Sequence, residues 1–162
     1  MNSIFLGVLY MGLSTGIIEA CIKEAKKSEY RFMLGCVVFK GTRIIAKAHN
    51  EIRSCANINP KFRRFYNSLH SEIAAFLNCK NWKNLKGADL LVMKVSKTTG
   101  SISNAKPCYH CQSAIKAVGI RNVYYSNADG SISMTKAKDL DATIEDLPPL
   151  NDEYNTSNTF TH

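Results

Sequence analysis

Four residues of this chain have the types and spacing that metal chemistry requires. His70 and Glu72 stand two apart in His70-Ser71-Glu72, and Cys108 and Cys111 stand in Pro107-Cys108-Tyr109-His110-Cys111. Imidazole and thiolate are good zinc ligands, and three protein ligands leave a fourth position for water. Both motifs are expected at the starts of helices, where partial positive charge lowers the pKa of a thiol. Two thiolates then neutralise a zinc dication, and water on such a metal loses a proton near neutral pH. Glu72 is too close along the chain to His70 to bind the same ion easily. It can reach that water, accept its proton and return it to a leaving group.

A lone Cys-x-x-Cys is a weak signal, and so is a lone His-x-Glu. Both at helix starts with a strand between them are strong, because H-x-E…P-C-x-x-C is the signature of zinc deaminases. One alternative is a structural zinc closed by a fourth ligand, such as His110 or another cysteine. Chance occurrence without a metal is another. His110 is expected on the helix surface or the pocket wall, since Cys108 and Cys111 are better placed to bind.

Periodicity supplies the elements that must position these groups. Residues 15–28 read as a helix with Ile18, Cys21, Ile22 and Ala25 on one face. The spans 33–39 and 43–48 read as a hairpin about Lys40-Gly41-Thr42. Residues 50–69 read as a loop holding Pro60 and the interleaved Lys61-Phe62-Arg63-Arg64-Phe65-Tyr66. A helix is expected over 70–78, a buried strand over 89–95, a turn at 98–101, and a helix from Pro107 to Val118. A strand over 122–126, a turn at Asp129-Gly130 and a last helix over 135–140 complete the order. This is an α/β arrangement, a mixed sheet flanked by helices.

Composition bounds the partners. The chain has 162 residues, enough for one domain with a single core over 1–150, and 151–162 is expected to be a disordered tail. Residues 1–128 hold 19 Lys/Arg against 6 Asp/Glu (+13), and residues 129–162 hold 2 against 7 (−5). A basic body suggests an anionic partner, although a lysine-rich solvated surface explains the same numbers. The six cysteines include a Cys-x-x-Cys, which favours a reducing, cytoplasmic setting over a disulfide scaffold. Cys21 and Cys36 lie in apolar patterns and read as core. The apolar stretch 4–18 is shorter than the roughly 20 residues of a membrane span, so no membrane partner is expected.

The segments LGCVVFKGTRIIAKAHNE, HSEIAAF, KPCYHCQSAIKAVGI and RNVYYSNADGSI resemble the cytidine deaminase superfamily, on its deoxycytidylate and tRNA adenosine deaminase side. The resemblance runs over roughly residues 15–140. It implies a three-layer fold with a mixed five-stranded sheet whose fourth strand runs parallel to its neighbour. It implies one Zn²⁺ per chain on His70, Cys108 and Cys111, Glu72 as proton shuttle, and the Ser71 backbone amide against the base. It also implies Asn50 on the substrate sugar and a dimer or larger homo-oligomer. The chain departs from the family's usual pattern in having Ser71 where alanine is common, and Lys106 before the Pro-Cys. The segment between the motifs is longer, with the excess expected in 97–105 as a hairpin beside the site. The implied activity is hydrolytic removal of a nucleobase amine, first from a cytosine mononucleotide. Lys106, Arg63 or Arg64 are candidates for its phosphate. A polynucleotide substrate, tRNA or single-stranded DNA, is the second expectation, with the aromatics of 61–66 stacking bases. A non-catalytic zinc-stabilised nucleic-acid-binding domain is the third.

Overall fold

A computed structural model describes residues 13–51 and 69–143. The expectations for Arg63, Arg64, the aromatics of 61–66, most of the N-terminal stretch and the acidic tail lie outside the described residues.

Helix α1 (Thr15–Ala25) begins at Ser14, whose Oγ accepts a hydrogen bond from the Ile17 amide at 3.3 Å. It satisfies one of the amides a helix start leaves without a partner. Strand β1 (Phe32–Lys40) turns through Gly41 (φ +61°) into β2 (Arg43–His49). Helix α2 is Ser71–Asn78, followed by a short 3₁₀ turn at Trp82–Leu85. Strand β3 (Asp89–Ser96) leads to the two-residue β4 (Ile102–Ser103), then α3 (Tyr109–Ala117) and β5 (Asn122–Ser126).

The sheet runs in the order β2-β1-β3-β5, then a strand β6 (Ile132–Lys136), with β4 paired to β3 off this path. The β3–β5 pair is parallel, and every other pair is antiparallel. This is the mixed five-stranded sheet expected, with β4 added as the hairpin return of 97–105.

Strand β6 corrects one reading. Lys136, Ala137 and Lys138 suit a helix, but a tertiary pairing overrides that preference. The Asp129 carboxylate accepts the Ser131 amide at 2.9 Å, and Gly130 (φ +85°) reverses the chain. Ile132–Lys136 then satisfies the edge of β5, from Ser126↔Ile132 to Asn122↔Lys136. Only a single 3₁₀ turn, Ala137–Asp139, remains of the expected helix.

Alternation along the central strands feeds two cores. Val37, Phe39, Leu91 and Met93 face Ile17, Ile18, Cys21 and Ile22 of α1. Cys36, Val38, Leu90 and Val92 face Ile73, Phe76, Ala114 and Ile115 of α2 and α3. The result is three layers, one helix below the sheet and two above it. At the foot of β3, the Asp89 carboxylate accepts from Arg121 Nε and Nη2 at 3.1 and 2.8 Å and from the Asn122 amide at 3.2 Å. These bonds set the parallel register of β3 and β5.

Candidate zinc and active site

Both helices of the upper layer start at the same place. His70 is the N-cap of α2 and Cys108 the N-cap of α3, each with extended backbone (ψ 144° and 167°). Neither side chain caps its own helix, and the two turn toward each other. His70 Nδ1 lies 3.5 Å from Cys108 Sγ and 3.3 Å from Cys111 Sγ. One ligand atom from each of His70, Cys108 and Cys111 lies within 4.8 Å of the others, and no fourth residue joins this group among the described residues. In a tetrahedral zinc site with Zn–N and Zn–S bonds of about 2.0 and 2.3 Å, nitrogen and sulfur are about 3.5 Å apart. The donor set and its spacing therefore fit Zn²⁺.

The thiols polarise each other. A hydrogen bond from Cys111 pulls Cys108 down to a pKa of about 3, against its partial burial, and His70 adds to the effect. Cys111 is pushed up, first by its complete burial and then by the neighbouring Cys108. The hydrogen bond to Cys108 raises His70, against burial. One thiolate is thus easily held here, and the second needs an added positive charge.

Glu72 sits in the first turn of α2, only 3% exposed. Its Oε1 accepts a hydrogen bond from Ser71 Oγ at 2.7 Å, which fixes one carboxylate oxygen. Glu72, His70 and Cys108 line one cavity of about 180 Å³, together with Asn50, Ser71 and Lys106. The site lies at the carboxyl end of β3 and β5, where open α/β sheets bind ligands.

Asn50 is more occupied than a free substrate contact. Its Oδ1 accepts the Leu34 amide at 2.9 Å and its Nδ2 donates to the Phe32 carbonyl at 3.0 Å. The side chain locks the end of β2 against β1 and still presents one face to the cavity. His110 is exposed and stands outside the metal group.

Sequence reasoning missed three contributors. Lys94, Asn104 and Gln112 carry no motif. Lys94 and Asn104 line the cavity. Asn104 Oδ1 accepts the Lys106 amide at 3.2 Å, so the 97–105 hairpin shapes the approach to Pro107. Gln112 Nε2 donates to the Pro107 carbonyl at 2.9 Å, and its Oε1 accepts the Ala142 amide at 3.2 Å. It anchors the turn that delivers Cys108. For Lys94 there was a signal, a lone cation inside an apolar strand.

Residues 14–127 match the family model for the cytidine and deoxycytidylate deaminase zinc-binding region. A cytidine deaminase from Burkholderia pseudomallei superposes with a TM-score of 0.56 at 17% identity, over 80% of this chain and 99% of that one. That likeness establishes a shared fold. A dCMP deaminase from the cyanophage S-TIM5, solved in complex with dCMP and dUMP, aligns at 23% identity and a TM-score of 0.46, over 73% of this chain and 89% of that one. A search of curated proteins gave no match. With the family model covering the whole span from α1 through β5, both motifs included, the chain belongs to the cytidine and deoxycytidylate deaminase zinc-binding family.

Proposed function

We propose that the protein is a hydrolytic deaminase that removes the exocyclic amine of a cytosine nucleotide. The observation that carries this reading is Glu72, a buried carboxylate with one oxygen held by Ser71, in the same cavity as the His70–Cys108–Cys111 group. A carboxylate beside a metal group, and outside its ligand set, is placed to move protons.

His70, Cys108 and Cys111 would hold the zinc. When bound, zinc supplies the Lewis acidity that makes water nucleophilic near neutral pH. Glu72 takes the proton of the attacking water and delivers it to the ring nitrogen beside the reacting carbon. It then takes the remaining proton of the added oxygen as the carbonyl forms and the C–N bond breaks, and delivers it to the departing amine, so one carboxylate serves as base and acid. Ser71 keeps its carboxylate aimed during both transfers. The Ser71 amide meets the base, Asn50 orients the sugar from the strand end, and Lys106 stands on the exposed side of the cavity for an anionic group.

The test is ammonia release by zinc-loaded protein, wild type beside Glu72→Ala. Substrates are deoxycytidylate, cytidylate, their nucleosides, adenosine, guanine, tRNA and single-stranded DNA. Release from a cytosine nucleotide, lowered by at least about 10³-fold in Glu72→Ala with zinc retained, is expected. Release unaffected by the substitution, or none from any cytosine nucleotide, would overturn the reading.

A further inference from the structure

Lys94 is the anomaly of the central strand. Strand β3 is buried at every position except Lys94, which is partly exposed. A lysine inside a sheet costs more than an apolar residue unless its ammonium has somewhere polar to go. Register places it on the upper face, two and four residues after Val92 and Leu90 of the same core. Its neighbours across the sheet are Leu34 and Ser103. Leu34 and Lys94 both line the cavity that holds Glu72 and Lys106.

The ammonium is positioned but not neutralised. Lys94 Nζ stands 4.9 Å from the centroid of the Phe32 ring, a cation–π distance. The guanidinium of Arg31 lies 5.7 Å from the same ring, adding positive charge at that edge. Among the described residues no carboxylate pairs with Lys94. Glu72 is the cavity's one carboxylate among those residues, against the cations Lys94 and Lys106.

We propose that Lys94 is a specificity residue that binds the terminal phosphate of a mononucleotide substrate, with Lys106 as the second cation of the same cavity. The inference rests on the deaminase reading above and deepens it. A phosphate monoester carries more charge than a diester and ends the molecule, so it can enter a cavity walled by β1, β3 and the 97–105 hairpin. A polymer must continue past its phosphate on both sides of the target base, which suits an open groove better than a lysine rooted in the middle of a sheet.

The test compares wild type, Lys94→Gln and Lys94→Arg as zinc-loaded full-length protein. kcat and KM are measured for deoxycytidylate, deoxycytidine and a short cytosine-bearing oligonucleotide. Calorimetry measures binding of the products deoxyuridylate and deoxyuridine. The ratio of kcat/KM for nucleotide over nucleoside should fall about 10- to 100-fold in Lys94→Gln, chiefly through KM, and only a few-fold in Lys94→Arg. The product affinity ratio should fall in parallel. Phe32→Leu, which keeps the lysine and removes its ring, should lower the same ratio several-fold and serves if Lys94→Gln does not fold. The proposal is overturned if both ratios are unchanged, if nucleotide and nucleoside lose equally, or if the loss is confined to the oligonucleotide. A wild type that neither deaminates nor binds any of these compounds overturns the deaminase reading as well. A wild type that prefers the nucleotide, with the preference kept in Lys94→Gln, overturns only the role of Lys94.

Discussion

At the residue scale, the unequal ionisation of the two thiols governs how the site takes up metal. Cys108 is held as a thiolate at a pKa of about 3 by the Cys111 thiol, while burial keeps Cys111 protonated. Zinc stabilises the second thiolate, so the two cysteines are not interchangeable with any neutral donor. Cys111→Ser keeps the volume of a fully buried group and loses the charge. Zinc affinity of that variant should fall by more than about 100-fold, read by competition with a chromophoric chelator. Undiminished affinity would remove Cys111 from the ligand set. The four chemical residues were legible from spacing alone because each belongs to a short local motif. Lys94 was not, because it reaches the cavity from a separate strand, and Asn104 and Gln112 were not, because their bonds to Lys106 and Pro107 leave no recognisable spacing in the sequence.

At the element scale, close approach of α1 to the sheet organises the lower layer. An added Cβ at Gly35 of β1 would fall 2.2 Å from the Cys21 carbonyl oxygen and 2.7 Å from the Ala25 amide nitrogen. Both are backbone atoms and cannot swing aside. The Cys21 thiol donates to the Gly35 carbonyl at 3.2 Å, tying helix to strand, and burial keeps that thiol protonated. Gly35→Ala should cost about 3 kcal/mol or more in urea unfolding. A loss under about 1 kcal/mol would mean that the helix can shift without penalty. The α1 helix was legible because its period matches its burial, and the hairpin of β1 and β2 because an apolar, valine-rich run meets the Lys40-Gly41-Thr42 turn. Strand β6 was not, since its five residues (Ile132–Lys136) become a strand only through the free edge of β5.

At the scale of the whole molecule, Glu24 joins the lower layer to the edge of the sheet beside Asn50. It is 6% exposed on α1 and bonds Lys27 Nζ at 2.9 Å and His49 Nδ1 of β2 at 3.1 Å. Burial opposes its ionisation, but the bonds from Lys27 and then His49 hold its pKa below the ordinary value of 4.5. A carboxyl depressed in the folded state stabilises fully above its unfolded pKa, and that contribution is lost as pH falls through the lower folded value. Wild type should therefore lose stability below about pH 4.5 more steeply than Glu24→Gln, whose stability at pH 7 should be about 1–2 kcal/mol lower. Parallel pH profiles would show that the cluster does not act as a unit. Local motif and periodicity were enough to single out the His70–Cys108–Cys111 group, the buried Glu72 beside it and the layered α/β class, because these depend on residues adjacent in the chain. What surrounds them was decided only in three dimensions. The β3–β5 register set by Asp89, the edge pairing of β6, the Asn50 lock and the entry of Lys94 into the cavity all depend on segments far apart in sequence. Such contacts form only when burial brings those segments together, and no local pattern encodes them.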